Sequence, residues 1–527
     1  METRAGLPEH PSDRLRTRRF AAATGLLSAA LALGSYAYYA PFLSDDALIS
    51  LRYAERLVMG EGLTWNDGYY VEGYSNLAWV LAAAGLISAG LDPILALRAL
   101  GGVATLAVLA VYGRAALRAA GADPVNHALV IAVFGIQIAP IWALGGLEQP
   151  LLLLCLFAAG LCVTRRPEPR RCDLAVASVF LAVAALTRPD GALFATVFGG
   201  AAFCAGGATL KTRIRAAALV VALPALAVLG HLAFRIVYYE AWVPNSARIK
   251  LGFSGERLLQ GGQYLAEGVV VLLPLLVFVG WTALRRPRGA SWGTTALAAA
   301  ALVWMAYVVA IGGDIFPGYR HMTPVYALGL VLSLEAMRIR TETQPSQGAL
   351  LPPATLMAGA VVFSLAQYAV PDNARAKSER WEWACRDLAN ALVDRFGAEE
   401  PTIAVTAAGC LPYWTRFEAI DLLGLNDLEL PNRPPPDRGA GPLAHEFGDL
   451  GYLLERAPEI VVFNVGTPPA YVYERQIAES DAFDQRYCER VLGEDWRIYL
   501  RRSFARRLEI DACAPPGQSA GTETTRP

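Results

Sequence analysis

Apolar runs close to the ~20 residues that cross a bilayer recur through the first 370 residues. They fall at 20 to 40, 75 to 91, 94 to 113, 127 to 145, 148 to 164, 173 to 187, 191 to 207, 216 to 237, 266 to 284, 293 to 312, 321 to 338 and 350 to 370. Several are short or kinked, and together they predict a polytopic α-helical membrane protein of about 11 to 12 spans. After residue 370 the pattern changes. A helix-period segment at 376 to 396 and three strand-like runs, Thr402–Ala407, Glu418–Leu422 and Glu459–Asn464, predict a small α/β domain. The expected organisation is a basic tail (1–19), a membrane domain (20–370), an α/β domain (371–514) and a Ser/Thr/Gly/Pro-rich tail (515–527) unable to fold.

Composition agrees with that pattern. A mean hydropathy of +0.35, with 54% hydrophobic and 18% charged residues, is too apolar for a soluble chain of 527 residues. A net charge of −1 points to no nucleic-acid partner, so what matters is where the positive charge sits. Arg14, Arg16, Arg18 and Arg19 precede the first run, which lacks a small-x-small cleavage site and reads as an uncleaved signal anchor.

Four further basic loops, Arg165/Arg166/Arg170/Arg171, Lys211/Arg213/Arg215, Arg285/Arg286/Arg288 and Arg338/Arg340, belong on the cytoplasmic side by the positive-inside rule. The acidic and aromatic stretches then share the exterior face of the plasma (inner) membrane: 41 to 74, the turn ending at Glu148, Thr187 to Gly191, 238 to 265, Gly312 to His321, and the α/β domain. One inconsistency remains. Three apolar runs separate the 41–74 loop from Glu148 where an even number is needed, so one of them is re-entrant, interfacial or part of a neighbouring run.

Cys155, Cys162 and Cys204 fall in apolar runs and Cys172 in a basic loop. Cys385, Cys410, Cys488 and Cys513 fall in the α/β domain, where an oxidising compartment permits three disulfide connectivities between which sequence does not choose. No spacing resembles a zinc site.

The candidate chemistry begins at Ser44-Asp45-Asp46. Ser44 is placed to cap a helix Ala47 to Met59, with both carboxylates in its first turn, where the dipole favours them. That accounts for one acid. A second beside a membrane surface is costly without a task, which points to chemistry.

The resemblance carried by these residues is specific. Asp45-Asp46-Ala-Leu-Ile-Ser-Leu-Arg52-Tyr, then Gly60-Glu-Gly62-Leu-Thr-Trp65-Asn66, then Val71-Glu72-Gly73-Tyr74-Ser75-Asn76-Leu-Ala-Trp79 resembles the first exterior loop of GT-C glycosyltransferases. Within them it is most similar to the terminal β-(1→2)-arabinofuranosyltransferase group. Gly145-Gly-Leu-Glu148, Thr187-Arg188-Pro189-Asp190-Gly191, Tyr238-Tyr239 with Pro244-Asn245 and Lys250, Gly312-Gly-Asp314 with Arg320-His321, and Asp421-Leu-Leu-Gly-Leu-Asn426-Asp427 extend it.

The resemblance implies a polyprenyl-phosphate-linked sugar donor, a cell-envelope glycan acceptor and inversion, with an exterior-loop aspartate as general base. Asp45 is the expected base and Asp46 its partner. A hydroxyl is a poor nucleophile until its proton is taken, whereas a phosphate leaves without an acid. Arg188, Lys250 and Arg320 are the expected phosphate ligands, against ordinary snorkelling at the interface. Glu72, Tyr74, Asn76, Glu148, Asp314 and His321 are the expected sugar contacts, with Tyr69, Tyr70 and Trp79 as stacking candidates. For Glu148 and Asp190 the alternative is helix capping. Asp45, Asp46, Glu72, Glu148 and Asp314 together offer oxygen ligands for a divalent cation, without metal-specific spacing. The rival reading, a flippase of lipid-linked sugars, expects repeated halves and acids at the bilayer midplane.

Overall fold

The computed structural model describes residues 11–510 except 167, 208, 251–253, 286–290, 344–350, 437, 439–444 and 494. The basic tail before residue 11, Arg286, Arg288, Cys513 and the 515–527 tail lie outside the described residues. Two compact units are present: Met1–Phe42, Leu97–His231 and Leu258–Glu379 in one, Leu43–Ala96, Leu232–Arg257 and Arg380–Pro527 in the other.

The first unit is helical. Across the described chain six helices are long and apolar enough to cross a membrane: Thr17–Tyr39, Pro93–Ala120, Pro124–Leu144, Leu210–Tyr239, Trp292–Ala310 and Arg320–Thr341. Two bent pairs raise the number to eight if each is one span. Gly255–Val271 and Leu273–Leu284 meet at 83°, so the 266–284 run is not the straight span expected. Pro274, in the first turn of the second helix, explains the break: it lacks an N–H to continue the ladder of the first helix, and its ring clashes with the carbonyl four residues back. Pro371 does the same between Pro353–Ala369 and Pro371–Ser378, which meet at 57°.

In the second unit, the helix Asp45–Met59 ends where Gly60, in the left-handed region at φ 86°, closes the last turn onto Arg56 and Leu57. The helix Leu77–Ser88 packs along it. Its 12 residues extend only ~18 Å, against ~30 Å of hydrocarbon. The 75–91 run is therefore not a span. The two runs that remain before Glu148 are both long enough, which restores the even number.

The same unit carries a five-stranded sheet in the order β2-β1-β3-β5-β4, with β1 Ile403–Val405, β2 Ala419–Asp421, β3 Ile460–Val462, β4 Tyr487–Leu492 and β5 Trp496–Arg501. β1 runs parallel to both β2 and β3, Ile403 lying opposite Ala419 and Ile460. β5 is antiparallel to β3 and to β4. The three parallel strands are fully buried and mostly apolar, as expected for strands covered on both faces. The β4–β5 hairpin is absent from the sequence reading because Glu489, Arg490, Arg497 and Arg501 interrupt its apolar pattern. Ala404, Ile420, Val461, Phe463, Tyr487 and Tyr499 form the core beside it.

Candidate active site

Asp45 and Asp46 open the helix Asp45–Met59, and Ser44 has extended cap geometry, yet its hydroxyl makes no capping bond. Asp45 looks elsewhere. Its Oδ1 accepts the Cys410 N–H at 2.7 Å and its Oδ2 the Gly409 N–H at 3.0 Å. Gly409 is required there, since a Cβ would strike the Asp45 backbone carbonyl. Burial pushes the Asp45 carboxyl up to about 7, the neighbouring Asp46 charge adds to it, and the two N–H donors pull the other way. A carboxyl near neutral pH is suited to accept a proton from a hydroxyl.

The backbone that holds Asp45 is itself fastened. Cys410 is disulfide-bonded to Cys385 in the helix Trp381–Phe396, which selects this pairing from those the sequence left open; Cys488 is disulfide-bonded as well. Buried Arg52, two turns along the same helix from Asp45, donates to the Trp65 carbonyl at 2.6 Å, the Phe417 carbonyl at 3.0 Å and the Pro412 carbonyl. Tyr413 Oη reaches Glu55 at 3.3 Å, and Arg416 pairs with the same carboxylate at 2.6 Å.

Glu72, Tyr74 and Asn76 are all buried. Glu72 forms a two-pronged ion pair with Arg235, Nη2 to Oε1 at 3.1 Å with a shorter Nε contact. Tyr74 Oη meets Tyr239 Oη at 3.2 Å, and Asn76 exchanges hydrogen bonds with Ser50. Trp79 is buried too, while Tyr70 is exposed. Lys250 ends the short helix Asn245–Lys250 and is exposed. Several motif residues join chain to chain: Tyr53 Oη donates to the Val71 carbonyl at 2.8 Å and lies 3.1 Å from Asn426 Oδ1, and Asn66 brackets Ala419 through both its amide atoms.

A second polar cluster lies in the helical unit. Arg188 forks onto Asp190 with two bonds of 2.9 Å and reaches Glu148 at 2.8 Å; Tyr307 Oη also donates to Asp190 at 3.0 Å. Glu148 sits at the cap position of Gln149–Thr164 but makes no cap bond, so the capping alternative does not hold for it. Arg320 forks onto Asp314 at 2.5 and 3.0 Å and lies 4.1 Å above the Phe316 ring. Asp314 follows Gly313, which at φ 77° packs on Tyr264 where a Cβ has no room. The His321 main chain is held by the Tyr264 hydroxyl at 3.1 Å and by Trp304 Nε1 at 2.6 Å. Asp190, Asp314, Arg188 and Arg320 all act electrostatically on its ring.

The expected residues thus fall into two groups, with Asp45, Asp46, Glu72, Tyr74, Asn76 and Lys250 in one unit and Glu148, Arg188, Asp314, Arg320 and His321 in the other. The proposed five-acid cation set is divided between them, and among the described residues no group of three or more His, Cys, Asp or Glu is placed to hold a metal ion. Sequence reasoning missed Arg235, Tyr307, Trp304 and the Gly409–Cys410 turn. Arg235 did leave a signal as the one charge inside the 216–237 apolar run. The turn left none.

Residues 372–507 match a domain of unknown function, DUF8728. The chain is 27% identical over 376 residues to a terminal β-(1→2)-arabinofuranosyltransferase of Corynebacterium glutamicum, an alignment covering 63% of this chain and 54% of that protein. It therefore spans about half the length of that relative. ArnT from Cupriavidus metallidurans bound to undecaprenyl phosphate superposes with a TM-score of 0.59 at 16% identity, covering 90% of this chain and 97% of that one. The archaeal oligosaccharyltransferase AglB from Archaeoglobus fulgidus, in complex with an inhibitory peptide and a dolichol-phosphate, gives 0.51 at 11% identity over 88% of this chain and 72% of its own. The chain thus shares its fold with ArnT and AglB: a multi-pass set of long apolar helices with a sheet-containing C-terminal domain.

Proposed function

We propose that the chain is a glycosyltransferase that moves a sugar from a polyprenyl-phosphate donor to a cell-envelope glycan, with Asp45 as general base. The carrying observation is the Asp45 carboxyl, gripped by two backbone N–H groups beside Asp46 and brought to about 7 by burial. In the reaction, an acceptor hydroxyl gives its proton to Asp45 as its oxygen attacks the anomeric carbon. The bond from that carbon to the phosphate oxygen breaks, polyprenyl phosphate departs with the electron pair, and a single displacement inverts the centre. The bound undecaprenyl phosphate of ArnT supports this donor class. The arabinofuranosyltransferase of C. glutamicum supports a pentofuranosyl sugar as the group moved.

Arg188, Lys250 and Arg320 are assigned to the donor phosphate. Arg188 and Arg320 are each neutralised by carboxylates, so in this reading they act by geometry and hydrogen bonding more than by unbalanced charge. The reaction takes place on the exterior face of the plasma membrane, with the C-terminal domain on the same side. The test is a transfer assay on purified protein with a panel of polyprenyl-phosphate sugars and a glycan acceptor, run beside Asp45→Asn. Transfer from one donor, lost in Asp45→Asn, is expected; undiminished turnover in that variant rules out the base.

A further inference from the structure

Outside the clusters already described, an apolar cleft between Val125, Phe278, Trp281 and Phe363 encloses about 710 Å³; its one arginine, Arg340, is taken by Asp123, and nothing shows what covers it. The Cys385–Cys410 disulfide carries more. It joins the helix Trp381–Phe396 to the first residue of the helix Cys410–Thr415. Both cysteines are fully buried. Cys410 is also the residue whose N–H gives Asp45 its shorter hydrogen bond.

We infer that the Cys385–Cys410 disulfide is a positioning element for the base: it immobilises the turn whose two N–H groups hold the Asp45 carboxylate, so that reduction loosens the base without touching a substrate contact. This rests on the reading of Asp45 as base.

The geometry favours such a role over general stabilisation. The turn comes shortly after β1, and the Ala408 N–H closes onto Thr406 at 3.1 Å. On its C-terminal side, Arg52 and Glu55 grip the segment from Pro412 to Phe417. The disulfide is the fastening that acts on the Cys410 side chain itself. A carboxylate that loses N–H donors is less stabilised when charged, so its pKa rises. The charged groups acting on Asp45 are Asp46 and Asp421, both of which oppose its ionisation. The two N–H groups are what holds it down. A base displaced by a fraction of an ångström also loses the alignment on which proton transfer depends.

The experiment uses the full chain in detergent, as wild type, wild type under graded phosphine reduction, Cys385→Ser, and Cys488→Ser as a control for the other disulfide-bonded cysteine. Two quantities are read: transfer kinetics against pH, and carbodiimide labelling of Asp45 against pH by peptide mass spectrometry. Cys385→Ser should lower kcat about tenfold, the equivalent of one good hydrogen bond, with donor and acceptor KM changed less than about twofold. The acid limb of kcat and the labelling midpoint should both move upward from about 7, while Cys488→Ser leaves both in place. An unmoved labelling midpoint in folded Cys385→Ser, or in reduced wild type should that variant fail to accumulate, overturns the inference whatever the kinetics. A shifted midpoint in a protein that transfers no sugar sinks the base reading alone.

Discussion

Arg188 and Glu148, 40 residues apart in sequence, form a buried ion pair at 2.8 Å, with Arg188 held from the other side by both oxygens of Asp190. One guanidinium thus serves two buried carboxylates. Removing it takes the ion-pair contact from both at once, and breaking a buried pair from one side costs roughly 3 to 5 kcal/mol. Arg188→Ala should accumulate poorly and lose much of its thermal midpoint in detergent. Arg188→Lys keeps the charge but cannot fork, so it should fold while binding a non-transferable polyprenyl-phosphate analogue more weakly. Wild-type affinity in that variant places the donor phosphate elsewhere.

Glu72 and Arg235 make a similar prediction in the other unit, 163 residues apart and both buried. Arg235→Met should destabilise by about 3 to 5 kcal/mol by taking the two-pronged ion pair from buried Glu72, and Glu72→Gln added to it should recover a large part. A double-mutant cycle on thermal midpoints measures this directly. Simple addition of the two losses would mean that the pair is not coupled.

The pH dependence of Asp45 has a definite sign. Its folded value of about 7 lies above the ~3.9 of a free aspartate, so between these the folded protein binds the extra proton. Its contribution to stability is complete below about pH 4 and is lost as pH rises through about 7. Asp45→Asn should therefore match wild type in stability at pH 4 and exceed it at pH 8, whereas transfer, which needs the ionised base, should rise through pH 7 in wild type and be absent in the variant. A variant less stable than wild type at pH 8 would show that the ionised Asp45 carboxylate stabilises the fold and that its value is not raised.

The side assignment is tested by single cysteines in a background without the native free thiols Cys155, Cys162, Cys172 and Cys204. Gly68→Cys and Ser254→Cys should react with a membrane-impermeant maleimide in intact cells. Arg338→Cys, at an exposed position on the basic side, should react only after permeabilisation. The opposite pattern reverses the topology.

Much of this protein is decided one residue at a time. The six long apolar helices and the central strands were legible because each is a local property, an apolar run of sufficient length or a short β-branched run between turns. The expected spans, about 11 to 12, exceed the six to eight found because several apolar runs form helices shorter than a span needs. The helix at Asp45 was legible for the same reason. Failures at Pro274 and at Leu77–Ser88 have local causes too, a missing N–H in one and insufficient length in the other. Partnership is different. Asp45 lies 365 residues from the Cys410 N–H that grips it, Glu72 meets Arg235, and the cysteine pairing was one of several that composition permits. Nothing in the spacing of Gly409 and Cys410 marks them as donors, because a backbone N–H has no sequence signature. Which charges are neutralised, which hydroxyls are taken and which carboxyl is raised toward neutrality depend on burial and on distances between remote segments, and these exist only once the chain has folded.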